Sequence, residues 1–312
     1  MALHEPSGRW RLGLLLALVT AGFWATLPVA LKLTLAQVDP YTLTWARFAF
    51  AAIVVGAWLT WRGEWRKFGA LGRRGWAMLW IAALMLVGNY VLYLLGLEAT
   101  TPANAQLLIQ AAPLLMALGG IVVFREHFNA WQWLGLAAIA AGLLLFFGDQ
   151  LAQPAAPGSR YVLGSVLVLL GALVWAVYAL AQKQLLNTLS SFAILGFIYV
   201  FATLALWPFA HPSTLLRLDA LHGCALAYCA INTLGAYGAF AEALAHWEAS
   251  RVSVVLSLTP LLTVATVEVV HAIAPALAKP ERIAVIGWVG AALVVAGSAV
   301  TSLMRTKSRA EG

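Results

Sequence analysis

Ten apolar stretches, each close to the length of a membrane-crossing helix, follow one another along this chain with only short breaks. A helix rises 1.5 Å per residue, so about 20 apolar residues cross a hydrocarbon layer about 30 Å thick. The stretches are 12–31, 42–61, 76–97, 104–124, 130–147, 161–182, 192–209, 221–243, 252–270 and 283–304. The narrowest break is Arg125-Glu126-His127-Phe128-Asn129. Charges at the bilayer centre are costly, so this segment reads as a turn.

The composition agrees with this reading. Of 312 residues, 62% are hydrophobic and 10% charged. Soluble domains average about 45–50% apolar and about 25% charged. A single soluble core of this length could not cover so much apolar surface. An ordinary soluble enzyme, a disordered chain and a disulfide scaffold are excluded. The first stretch follows Arg9 and Arg11, yet it exceeds a signal-peptide core and lacks a small-residue cleavage site, so it is expected to be retained. Cys224 and Cys229 share a stretch but not a helix face, and read as reduced, packed thiols.

Basic residues set the direction. Thirteen fall on one side: Arg9, Arg11, Arg62, Arg66, Lys67, Arg73, Arg74, Arg125, Lys183, Arg251, Arg305, Lys307 and Arg309. Four fall on the other: Arg160, Arg217, Lys279 and Arg282. Both termini are therefore expected in the cytoplasm. The net charge of +7 is accounted for by membrane orientation rather than nucleic-acid binding.

The chain also repeats itself. Leu12-Gly13, Trp24-Ala25 and Lys32 recur 151 residues on as Leu163-Gly164, Trp175-Ala176 and Lys183. Gly88, Tyr90 and Pro113-Leu114-Leu115 recur 147 residues on as Gly235, Tyr237 and Pro260-Leu261-Leu262. Glu126, Trp133, Gly135 and Gly142 recur 155 residues on as Glu281, Trp288, Gly290 and Gly297. The change in offset places eight extra residues near 271–278. Each copy holds five spans. An odd number forces the second copy to enter the membrane from the opposite side, which makes an inverted repeat of the kind found in secondary transporters. The expected organisation is a first five-helix unit at 1–147, a linker at 148–160 with Pro154, Pro157, Gly158 and Ser159, a second unit at 161–304, and a tail at 305–312.

Several of these residues together resemble the drug/metabolite transporter superfamily, in particular its bacterial EamA-type proteins with two five-helix units. They are Trp24, Arg47-Phe48, the Pro113 and Pro260 segments, and the Glu-x6-Trp-x-Gly-x6-Gly pattern in both halves. The resemblance runs from about residue 12 to residue 304. It implies an all-helical inner-membrane secondary transporter, often an exporter of amino acids, related metabolites or drugs. The extra residues after the ninth stretch depart from the pattern around Glu268 and His271.

Pro113 and Pro260 lie about 9 residues into their stretches, near the midplane. Each removes an amide donor and leaves the carbonyl of Ile109 or Leu256 without its helical partner. Such bends either line a central site or hinge the motion, or else they are packing kinks satisfied by neighbouring hydroxyls. Gln106 and Gln110 share a face one turn before Pro113, and Ser253 and Ser257 stand at the equivalent positions before Pro260. Asn89, Tyr90, Tyr93, Asn232, Tyr237, Trp24, Trp175 and Tyr178 lie away from the span ends. They either wall a cavity for an amphipathic solute or fill the bundle. Trp61, Trp65, Trp76, Trp80, Trp131 and Trp133 lie near span ends and read as interfacial anchors. The charges within spans are Lys32, Arg47, Glu98 and Glu268. Arg47 either holds a substrate carboxylate or pairs with Glu98 or Glu268, and Glu268 is the candidate for proton coupling through burial. Glu126 and Glu281 start helices, where an acid complements the dipole.

No metal-protease, serine-elbow or phosphate-loop motif occurs, nor a channel filter. The chain is expected to be no enzyme, to carry no cofactor and no metal, to take a small-molecule solute, and to be a monomer or homodimer. An uptake carrier for a sugar or nucleoside, or a membrane scaffold, is the alternative.

Overall fold

A computed structural model describes residues 9–124, 128–152, 158–247, 252, 255–256, 258–278 and 283–303. Regular structure among these is helical. The long elements are α1 (Trp10–Thr34), α2 (Pro40–Trp61), α3 (Arg73–Ala99), α4 (Pro102–Leu108), α5 (Ala111–Phe124), α6 (Ala130–Ala152), α7 (Gly158–Leu185), α8 (Ser191–Leu206), α9 (Ala220–His246), α10 (Thr259–Ile273) and α11 (Val285–Leu303). Helices at Trp10–Thr34, Pro40–Trp61, Arg73–Ala99, Arg160–Gln182 and Ser191–Phe209 are long and apolar enough to cross a membrane. Shorter apolar helices lie at Ala130–Phe146, Thr259–Ile273 and Val285–Thr301. Glu126, Ser253, Ser257 and Glu281 lie outside the described residues, as do 153–157 of the expected linker and the tail at 305–312. The rest of that linker is helical, because α6 continues to Ala152 and α7 begins at Gly158.

Local sequence explains the helix ends. Asp39 caps α2 by accepting hydrogen bonds from the amides of Tyr41 and Thr42, both at 3.0 Å, with Pro40 in the first turn. Its counterpart 151 residues on, Ser190, caps α8 through the amide of Ala193 at 3.2 Å. After α2 the chain turns at Gly63, whose φ of 66° needs a residue without a Cβ. A short 3-10 segment, Glu64–Ala70, then leads into α3.

Helices of one half pack on helices of the other. The most extensive pairs are α6 with α11, α3 with α7, α1 with α9, α2 with α8, α5 with α7, and α1 with α10. Exchanging the two halves leaves this set unchanged: α3–α7 becomes α9–α1, α5–α7 becomes α10–α1, and α6–α11 and α2–α8 map onto themselves. A two-fold pseudo-symmetry therefore relates the halves.

The α6–α11 contact gives the sense of that symmetry. A Cβ on Gly135 would stand 2.7 Å from the Gly297 carbonyl oxygen, and one on Gly142 would stand 2.5 Å from that of Gly290. The reverse contacts are equally close, at 2.6 Å each. The early glycine of α6 thus meets the late glycine of α11, and these equivalent helices run antiparallel. The two five-span units are inverted against each other. Gly96 and Gly164 bring α3 and α7 together in the same backbone-to-backbone way. Lipid chains are as apolar as leucine, so close van der Waals approach through small residues, rather than the hydrophobic effect, holds such helices together.

Apolar side chains occupy both the interior and the outer surface. Leu43, Phe48, Leu86 and Ile198 are almost wholly buried, while Ile53, Leu144, Leu204 and Val285 are among the exposed ones. A helix that is apolar all round belongs in a bilayer. Trp61, Trp131 and Trp133 are exposed near helix ends, as interfacial anchors should be. Trp65, Trp76 and Trp80 differ. They pack on Phe68, Phe197 and Phe201, with ring centroids 5.5, 5.8 and 5.1 Å apart, so they also cement α3 to α8 and to the preceding turn.

Candidate functional site

Among the described residues, the interior of the bundle holds one buried cation, set among aromatic rings. Arg47 on α2 is only 3% exposed. Its Nε donates to Oγ1 of Thr233 on α9 at 3.1 Å, and the Thr233 hydroxyl in turn donates to the Cys229 carbonyl at 2.9 Å. The guanidinium carbon lies 4.9 Å from the ring centroid of Tyr90 on α3, a cation–π contact. The Tyr90 ring packs on Phe48 at 4.5 Å, and Phe48 packs on Tyr199 of α8 at 5.7 Å. The Tyr90 hydroxyl approaches that of Tyr237 on α9. Tyr178 on α7 is buried beside them, and Trp24 of α1 meets Tyr237 edge-on at 5.8 Å.

This box follows the repeat. Tyr90 and Tyr237 are equivalent at offset 147, and Phe48 and Tyr199 at offset 151. Each pair meets across the pseudo-symmetry axis. Arg47 breaks the pattern, because its counterpart is Ile198. The charge is carried by one half alone.

Two spans are broken shortly before their prolines. The fourth is interrupted at Ile109-Gln110, between α4 and α5, and α10 begins at Thr259, just before Pro260. The Ile109 carbonyl accepts the Ala112 amide at 2.9 Å. The Leu256 carbonyl accepts the Thr259 hydroxyl at 2.5 Å. Both carbonyls are thus satisfied locally, and the buried Pro260 sits in a first helical turn, where its missing amide is tolerated. Pro113 lies in the first turn of α5; its side chain is outside the described residues. Gln106 is buried on α4, receiving a long 3.4 Å contact from the Tyr93 hydroxyl, and Gln110 is half-buried at the break. Broken helices facing each other across inverted halves are a recurrent way to build a midplane site.

The asparagines tie the halves together. Asn89 of α3 donates to the Gly171 carbonyl of α7 at 2.9 Å, and Asn232 of α9 donates to the Phe23 carbonyl of α1 at 2.8 Å. Trp175 is half-buried and packs on Tyr178 at 6.3 Å.

The remaining charges lie elsewhere. Lys32, at the end of α1, donates to the carbonyls of Leu97, Glu98 and Thr100 at 2.6, 2.7 and 2.7 Å. It closes the C-terminus of α3, where a cation complements the helix dipole. The Glu98 and Glu268 side chains are exposed. Arg47 makes its contacts to Thr233 and Tyr90 instead of to either acid.

The profile of the EamA-like transporter family matches this chain twice, over residues 11–148 and 162–303. The chain belongs to the EamA-like transporter family. An uncharacterized transporter of Haemophilus influenzae is 35% identical over 292 residues, covering 94% of this chain and 95% of its own. The uncharacterized inner membrane transporter YhbE of Escherichia coli K12 is 32% identical over 293 residues, 94% of this chain and 91% of its own. A probable amino-acid metabolite efflux pump of the same organism is 25% identical over 207 residues, 62% of this chain and 64% of its own.

In this EamA-like chain, reading the sequence missed Thr233 and Tyr199. Both left a signal. Thr233 lies one turn before Tyr237 and so shares its face. Tyr199 is the repeat partner of the residue next to Arg47.

Proposed function

We propose that this EamA-like transporter is an inner-membrane exporter of a small organic metabolite, amino acids foremost, with both termini in the cytoplasm. The two inverted halves rock about their glycine contacts and expose the Arg47–tyrosine box first to one side and then to the other. The observation that carries this reading is the box itself: a buried cation and aromatic rings from four of the inter-packed helices, in a bundle whose fourth and ninth spans both break shortly before a proline. The basic-residue count supports the orientation. The efflux-pump relative supports direction and substrate class.

Contacts at the two faces supply the gates. Toward the outside, Lys32 holds the end of α3, Gln37 donates to Asp219 at 2.7 Å, and the His211 amide donates to Thr42 at 2.8 Å. Toward the cytoplasm, Glu64 receives Lys67 at 2.8 Å and the Ser190 hydroxyl at 3.3 Å. Purified protein in liposomes, offered a panel of labelled amino acids, should show saturable counterflow. Absence of counterflow for every class of solute would defeat the proposal.

A further inference from the structure

We infer that Arg47 is the anchor for a carboxylate of the transported solute, and that the solute is an organic monocarboxylate, free or as part of an amino acid. The inference rests on the transport reading above and adds the chemistry of what is carried.

Arginine stays protonated at any pH a cell reaches. At 3% exposure, within a span, its charge needs an opposite charge or a set of acceptors. Among the described residues, the guanidinium hydrogen bond is the one from Nε to Thr233, and the Tyr90 ring covers one face. No acid among the described residues meets it. Glu98, Glu242 and Glu268 have exposed side chains, and Glu242 is turned to His246 at 3.1 Å. Thr233 and Tyr90 therefore fix the plane of the guanidinium and leave its terminal nitrogens to another acceptor. Two parallel N–H groups in one plane match the two oxygens of a carboxylate. The charge of one arginine, on one half only, matches one anion. Around it, Phe48, Tyr90, Tyr199 and Tyr237 give an aromatic wall for the apolar body of the solute, with hydroxyls available for a second polar group.

The test is inhibition of counterflow in proteoliposomes of the full chain, with matched compounds: leucine, leucinamide, the des-amino acid of leucine and the amide of that acid. Each acid should inhibit at about tenfold lower concentration than its amide, or lower still. R47Q should bring each acid to the level of its amide. R47K, which keeps the charge but loses the fork, should retain part of the preference. T233V leaves the charge and frees its orientation, so it should weaken acids more than amides. If the des-amino acid matches leucine, the carboxylate alone is recognised; if leucine alone inhibits, the solute is an amino acid; either supports the anchor. Equal inhibition by acid and amide in the unaltered protein overturns it while leaving a working carrier, and needs no variant to fold. An acid preference that survives in well-folded R47Q also overturns it. Absence of any counterflow removes the transport reading itself.

Discussion

Tyr90 and Tyr237, equivalent residues of the two halves, meet each other at the centre of the bundle through their hydroxyls. A contact between repeat partners lies on the pseudo-symmetry axis. It is therefore at the place that both halves share when they exchange conformations.

This contact predicts non-additivity. Tyr90→Phe and Tyr237→Phe should each slow counterflow roughly twofold to tenfold, as the loss of one polar contact of about 0.5–1.5 kcal/mol would. The double variant should be no slower than the worse single variant. Losses that multiply would show that the hydroxyls act separately.

The glycine seam sets a stability prediction. At Gly142 a methyl group would meet backbone 2.5 Å away, which cannot move aside as a side chain can. Gly142→Ala should cost about 1–3 kcal/mol, and lower Tm in detergent by several degrees. Gly22→Ala, also within a helix but with nothing within 4 Å, should leave Tm unchanged or raise it. Equal effects at both sites would deny that the seam is a close contact.

Lys32 should act as a latch on the outer side. Lys32→Met removes an ammonium donor from three carbonyls at the end of α3. Cys229, wholly buried in the cluster that includes Leu31, Leu94 and Leu97, reports opening there. In a Cys224→Ser background, its reaction with an externally added maleimide should speed up about fivefold or more in Lys32→Met. An unchanged labelling rate would assign Lys32 to folding alone.

The loop before α9 carries a pH dependence. The His222 amide, then its ring, then the Gln37 amide hold the Asp219 carboxyl down at about 2. A carboxyl lowered on folding adds stability above its unfolded value of about 3.9, and loses it as pH falls toward the folded value. Asp219→Asn should thus melt slightly lower than the unaltered protein near neutral pH. The gap should close between about pH 4 and about pH 2. A gap that persists in acid would point to lost capping of α9 instead of lost charge.

How far the chain could be read in advance differs between levels. Hydropathy and breaks placed the spans because lipid imposes a length on every crossing helix. The recurrence of Pro113 as Pro260 marked the two broken helices. Side-chain partners were a different matter. Nothing local announces that Arg47 meets Thr233, 186 residues away, because that contact exists only once α2 and α9 are packed. Lys32 read as a charge near a site, and its use as a helix cap depends on where α3 ends in space. The repeat did hold a usable clue to tertiary contacts: Phe48 with Tyr199 and Tyr90 with Tyr237 are partners at the repeat offsets, and both pairs touch.

The α6–α11 seam has one more property. Gly135 meets the counterpart of Gly142, and Gly142 meets the counterpart of Gly135. The stripe is complementary to its own upside-down copy. A gene encoding only the first five spans would already specify both faces of the joint, provided that its product inserted in both senses. Fusion of two such copies fixes one of each orientation in a single polypeptide. After fusion the halves are free to differ, which is the condition under which position 47 holds arginine while its twin at 198 holds isoleucine.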